Sequence, residues 1–270
     1  MDKFTITSTD GVPLAVSECG NPDGQALLFI HGYAQSQLCF RKQFESALAK
    51  RFRIVSFDLR GHGESGKPVN PSAYTEGQRW ANDVDTVIKR AALDTPVLVG
   101  WSLGGRVIAQ YLAEFGDSAL RGINFVGSRT VVDPDHDTMG PGARHLAAMQ
   151  SDDLDVNISA TTQFLHACTK LPLPTNELMY MLAYNMVCPP YVRLAARFSG
   201  NFRQALSGIS VPCLITHGRH DAIVLPEAAE ISASLVRQSR LSWYEQSGHS
   251  PFWEEADRFN SELEAFVSEL

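Results

Sequence analysis

The 270-residue sequence predicts an α/β protein, a doubly wound parallel sheet flanked by helices, on three observations. Short apolar runs recur without polar alternation, as strands covered on both faces require. Stretches with helical apolar spacing separate them, and that alternation of strand and helix is the signature of a parallel α/β sheet. A third feature interrupts the rhythm, a strandless stretch of about 80 residues near the middle of the chain.

The elements follow in order. Two alternating runs at 4–8 and 13–17, joined around Asp10-Gly11, read as an antiparallel hairpin at a sheet edge. The non-alternating runs come next, at 26–30, 54–57, 96–99, 123–126 and 211–215. Between them Val84, Val87, Ile88 and Ala91 keep the i, i+3, i+4, i+7 spacing of a helix with one buried face, and Ala256, Phe259, Leu263 and Phe266 repeat it in the last helix. The interruption spans 129–208, is rich in Ala, Leu and aromatic residues, and holds every Met except the initiator (139, 149, 179, 181 and 186). A structureless loop of that length would be out of place in a compact domain, so an inserted helical cap is expected there. Residues 1–128 and 209–270 are then the sheet domain, and 129–208 the cap.

Composition and charge narrow the function. Hydrophobic residues make up 44% of the chain, enough for a large core, and 23 Lys plus Arg against 30 Asp plus Glu leave a net charge of −7. With no basic stripe, nucleic acid and anionic lipid surfaces are not expected partners. The five cysteines are scattered and form no Cys-x-x-Cys pair, so neither a disulfide framework nor a zinc site is indicated, and reduced thiols are expected. No stretch approaches the roughly 18 apolar residues of a membrane span. The opening residues, Met1 to Thr7, lack the basic-then-apolar pattern of a secretory leader, so a soluble, cytoplasmic protein is expected.

One glycine-rich segment misleads. Gly61-His62-Gly63-Glu64-Ser65-Gly66-Lys67 fits the dinucleotide pattern and most of the phosphate-loop pattern. Both chemistries need the loop to open directly into a helix whose amides hold phosphate. Pro68 and Asn70-Pro71 oppose a helix there, so nucleotide binding is not expected.

The informative motif is Gly100-Trp101-Ser102-Leu103-Gly104-Gly105, between the apolar run Val97-Leu98-Val99 and the helical run Arg106-Val107-Ile108-Ala109. A sharp strand-to-helix turn strains the serine backbone and leaves no room for a Cβ two residues away on either side, which accounts for Gly100 and Gly104. It also exposes the Ser102 hydroxyl at the carboxyl edge of the sheet. A hydroxyl is a poor nucleophile near neutral pH, so a base must stand beside it and a carboxylate must orient that base. Of the eight histidines, His249 follows the run 241–244 and precedes the last helix, which puts it on a loop at the same edge. Asp221 occupies the equivalent place after 211–215, whereas the competing position after 123–126 offers no acid until Asp133. His31, His217 and His220 border this edge as supporting residues, and Asp58 is expected to hold its loop.

Taken together, Phe29-Ile30-His31-Gly32-Tyr33, Phe57-Asp58-Leu59-Arg60-Gly61-His62-Gly63-Glu64-Ser65, the Ser102 turn, His217-Gly218-Arg219-His220-Asp221 and Ser247-Gly248-His249 resemble the α/β-hydrolase superfamily over nearly the whole chain. The order serine, acid, histidine is that of the superfamily. The resemblance implies an eight-stranded, mostly parallel sheet with an inserted helical cap, and a Ser102, Asp221, His249 triad. It also implies an oxyanion hole from the backbone N–H groups of Tyr33 and Leu103. Leu103 would be the first residue of its helix, whose amide has no intrahelical partner.

Compact aryl and alkyl carboxylesterases and cofactor-free haloperoxidases are the look-alikes within the superfamily. Ser102 argues against dehalogenase-like and epoxide-hydrolase-like members, which carry Asp at that turn. Ala34 stands where peroxidase-like members usually have Pro, and Tyr33-Ala34-Gln35-Ser36 lacks the further Gly of carbon-carbon bond hydrolases. The expectation is a serine esterase acting on a small, largely apolar, neutral ester or lactone with water as the second substrate and no metal or cofactor. Trp101, Tyr33, Phe252, Met179 and Met181 are the candidate pocket residues. The competing class is a non-catalytic small-ligand receptor or interaction protein on the same fold.

Overall fold

The apolar runs become strands because residues such as Val, Ile and Phe suit a pleated surface that is covered on both sides. The computed structural model describes residues 1–132, 137–196, 198 and 200–270. Its strands are β1 (Asp2–Thr7), β2 (Pro13–Gly20), β3 (Ala26–Ile30), β4 (Arg53–Phe57), β5 (Val97–Trp101), β6 (Gly122–Val126), β7 (Cys213–Gly218) and β8 (Ser239–Tyr244). They form one eight-stranded sheet in the order β1-β2-β4-β3-β5-β6-β7-β8. β1 pairs β2, and β2 pairs β4, antiparallel, while every later pairing is parallel. β1 is mostly exposed, as an antiparallel edge strand can be, whereas β3, β5, β6 and β7 are buried throughout.

Strand alternation divides the core in two. Leu28, Ile30, Leu98, Phe125 and Ile215 face the helices Gly77–Arg90 and Leu103–Phe115 through Val84, Val87, Val107 and Ile108. Leu27, Phe29, Val97, Val99 and Trp101 face the other way, against Phe252 and the Phe259, Leu263 and Phe266 stripe of helix Ala256–Ser268. Each such side chain contributes about 1.5–3 kcal/mol by leaving water, so all three helices are held chiefly by these faces.

Register sets the position of the site. Ile30 pairs with Gly100, Gly100 with Phe125, Phe125 with Ile215, and Ile215 with Leu241. The carboxyl ends of these strands are therefore level, and the loops that leave them open on one edge. Chain order reverses around β3 and β5, the switch point where open α/β sheets form their crevice.

Between β6 and β7 the described residues form helices, chiefly Leu154–Ala167, Thr175–Met186, Pro190–Ala195 and Arg203–Ser207, with one isolated antiparallel bridge between Met139 and Val224. The last of these packs on Leu103–Phe115, and so joins the helices that flank the sheet. The other three surround the fully buried guanidinium of Arg193, which donates to the carbonyls of Met149, Asn185 and Cys188 and to Asn157 Oδ1 and Thr161 Oγ1. Its own carbonyl accepts from the Tyr33 hydroxyl at 2.9 Å, which fastens this layer to the loop after β3. No helix among the described residues is long and apolar enough to cross a membrane.

Candidate active site

Ser102 sits at φ +54°, ψ −112°, a conformation that costs a non-glycine residue about 1–3 kcal/mol. Its amide donates to Val126 O at 2.9 Å, which pins the turn to β6. The flanking glycines are required by close approach. A Cβ on Gly100 would lie 2.5 Å from Ile108 Cδ1, and one on Gly104 would lie 2.1 Å from Ile30 O. Helix Leu103–Phe115 begins immediately after Ser102, so the Leu103 amide precedes the first intrahelical bond.

The loop after β3 turns at once, with Gln35 N donating to Gly32 O at 3.2 Å and the Tyr33 peptide at the corner. Ala34 takes φ +57°, and its amide donates to His62 Nε2 at 3.2 Å. Proline, locked near φ −65° and lacking an N–H, cannot stand there, which gives Ala34 its physical reason. Next to it, His31 Nε2 accepts from Leu59 N at 3.0 Å. Burial lowers both imidazoles, His31 to about 4 and His62, further depressed by the neighbouring His31, to about 3. Asp58 accepts from the amides of Gln37 and Glu64, each at 2.8 Å, and so holds its loop. The Gly61 to Lys67 segment wraps this carboxylate, and no helix begins at Lys67.

Asp221 and His249 meet from neighbouring strand ends. His249 Nδ1 donates to Asp221 Oδ2 at 2.7 Å, while Asp221 Oδ1 accepts from Ile223 N and Val224 N at 2.8 and 2.9 Å. His217 Nε2 lies 3.2 Å from the same Oδ2 and donates to Val224 O at 2.9 Å. Burial alone would raise the Asp221 carboxyl, but attraction to His249 in its protonated form and the hydrogen bonds of His217 and His249 hold it well below the usual carboxylate range. With Nδ1 committed as donor, Nε2 is the basic nitrogen of the neutral His249 ring. The main chain of His249 is also fixed, its amide donating to Cys168 O at 2.9 Å and its carbonyl accepting from Trp101 Nε1 at 2.8 Å. Glu254 accepts from Gly248 N at 2.8 Å and Lys170 N at 2.6 Å, and burial pushes its carboxyl up to about 7.

Ser102, Leu103 and Tyr33 line one cavity of about 400 Å³. Its remaining wall is mainly apolar, with Met139, Phe164 and Phe198 from the segment between β6 and β7. The other pocket candidates lie elsewhere. Trp101 and Phe252 have ring centroids 4.9 Å apart on the opposite face of the sheet, and with Met181 they border a separate space of about 10 Å³. The reason is strand alternation, since Val97, Val99 and Trp101 share the face turned away from helix Leu103–Phe115. Met179 is 65% exposed. Sequence reasoning missed Arg106, Arg129, Phe164 and Phe198, whereas Met139 is among the cap methionines expected to form a roof over the pocket. Arg106 alone carried a signal, because four residues after Ser102 is one helical turn. Asp133 and His136 lie outside the described residues.

Against known proteins, residues 25–256 match the family model described as alpha/beta hydrolase fold. The chain is similar to a candidate aryl esterase from Burkholderia cenocepacia, with a TM-score of 0.94 and 36% identity over 99% of this chain and 98% of that one. The esterase RhEst1 from Rhodococcus sp. ECU1013 superimposes with a TM-score of 0.94 at 31% identity, covering all of both chains. A bifunctional esterase/perhydrolase, DCH, from Acinetobacter calcoaceticus is 26% identical over 97% of this chain and 98% of its own length.

Proposed function

The chain belongs to the alpha/beta hydrolase fold family, and on that premise we propose that it is a serine hydrolase cleaving small carboxylic esters through an acyl-enzyme. The observation that carries the reading is the buried His249 to Asp221 hydrogen bond at 2.7 Å, at the same sheet edge as a backbone-strained Ser102 that opens on the cavity. Esterase neighbours at 36% and 31% identity support it.

His249 Nε2 takes the Ser102 proton as Oγ attacks the ester carbonyl, and Asp221 stabilises the imidazolium that forms. The amides of Tyr33 and Leu103 receive the oxyanion, and losing one such donor typically costs about 2.7–4 kcal/mol of transition-state stabilisation. His249 then protonates the leaving alcohol, and water activated by the same ring releases the acid. The helices inserted between β6 and β7 act as a cap that selects the substrate, since Met139, Phe164 and Phe198 supply the outer wall.

Turnover of p-nitrophenyl acetate that disappears in Ser102→Ala is the expected result. A wild type inactive on a broad ester and lactone panel would return the chain to the class of non-catalytic binding proteins.

A second reading is favoured by the Acinetobacter relative, whose name includes perhydrolase. Hydrogen peroxide in place of water at the acyl-enzyme would release a peracid. Monochlorodimedone bromination in acetate, peroxide and bromide tests it, and no bromination excludes it.

A further inference from the structure

Three buried or half-buried arginines of this chain can be compared, and one is anomalous. Arg60 is neutralised by Asp83 and Asp10 at 2.7 and 2.8 Å. Arg193 has no carboxylate among the described residues but donates to five oxygens. Arg106 has neither arrangement. Its Nη2 donates to Phe198 O at 3.0 Å, and its guanidinium lies 5.5 and 5.9 Å from the ring centroids of Phe198 and Phe202, with no carboxylate partner among the described residues.

Arg106 also lines the Ser102 cavity, and Arg129 lines it too. Among the described residues the carboxylate that meets Arg129 is that of Asp137, 77% exposed, at 3.2 Å. Burial, and then the like charge of Arg129, lower the Arg106 guanidinium from its ordinary value. A partly desolvated cation near a like charge is unfavourable unless an anion joins them.

We infer that the cavity receives a carboxylate-bearing ester or lactone, its carbonyl at Ser102 and its carboxylate on Arg106, with Arg129 adding attraction. The inference rests on the hydrolase reading and replaces the neutral ester expected from the sequence with an anionic one. Arg106 follows Ser102 by one helical turn, about 6 Å along the axis, which suits a carbonyl and a carboxylate a few bonds apart.

The test compares monoethyl glutarate with diethyl glutarate. Wild type is expected to favour the monoester in kcat/KM by roughly tenfold or more, because a charge-assisted hydrogen bond in a partly desolvated site outweighs a neutral contact. Arg106→Met should lower kcat/KM for the monoester roughly 10- to 100-fold more than for the diester, and Arg106→Lys should recover part of that difference. If Arg106 merely tied down Phe198, Arg106→Met would lower both substrates alike, which would overturn the inference. Should Arg106→Met not fold, the wild-type ratio decides. Equal efficiency on the two esters, with Ser102→Ala inactive, overturns the carboxylate assignment and leaves the hydrolase reading standing. No turnover of either ester and no phosphonate labelling of Ser102 overturns both.

Discussion

Nδ1 of His249 donates to Oδ2 of Asp221 at 2.7 Å with both side chains buried, and that bond decides which ring nitrogen is basic. Asparagine at 221 would place an amide NH₂ opposite Nδ1 and favour the wrong tautomer. Asp221→Asn is therefore expected to lower kcat by about 10³–10⁴-fold with little change in KM. The carboxyl also has a folded value below its unfolded one. Its stabilising contribution is present above the unfolded carboxylate range and is lost as pH falls through the folded value, so urea titrations should show the variant's acid dependence reduced.

A second acid effect comes from His31 and His62, whose imidazoles burial lowers to about 4 and about 3. Each accepts a backbone amide on Nε2, and protonation would remove that acceptor. Because the folded values are depressed, the stability is fully present above the unfolded imidazole value, near 6.5, and declines as pH falls toward the folded values. His62→Gln keeps an acceptor for Ala34 N without a titrating group. Between pH 6.5 and 4 its urea-derived stability should fall less steeply than wild type by about 1.4 kcal/mol per pH unit, one proton's worth. Identical slopes would contradict this account.

Gly104→Ala introduces a Cβ 2.1 Å from Ile30 O and 2.9 Å from His31 O. Both are backbone atoms on the neighbouring strand and its loop, so neither can swing aside. A loss of about 3 kcal/mol or more is expected in chemical denaturation.

Arg193→Met removes the hub of the inserted helices and leaves five buried oxygens without that donor. Unpartnered buried groups cost about 1–3 kcal/mol each before relaxation. Hydrogen exchange should rise in Leu154–Ala167 and Thr175–Met186 while β5 stays protected. Unchanged exchange in those helices would show that the hub is dispensable.

The sheet was legible because each central strand is an apolar run whose length and spacing admit little else, and Gly100 and Gly104 mark the turn through sterics alone. That His249 and Asp221 share one sheet edge was legible from their places after strands. The pocket was not, because facing depends on register and parity rather than on residue type. Trp101 adjoins Ser102 in sequence yet packs with Phe252 on the far side of the sheet. Met179 belongs to an apolar-looking helix but points to solvent, and Met139, outside any helix, lines the cavity. The net charge of −7 spoke only against polyanionic partners, since a chain-wide sum says nothing about two guanidiniums that line one cavity.

The central claim is that Ser102 is the activated nucleophile, and fluorophosphonate labelling followed by intact-mass and peptide mass spectrometry tests it most directly. A single phosphonyl adduct is expected, mapped to Ser102, absent in Ser102→Ala and strongly slowed in His249→Ala. No adduct on folded wild type, or an adduct that persists in Ser102→Ala, would contradict it.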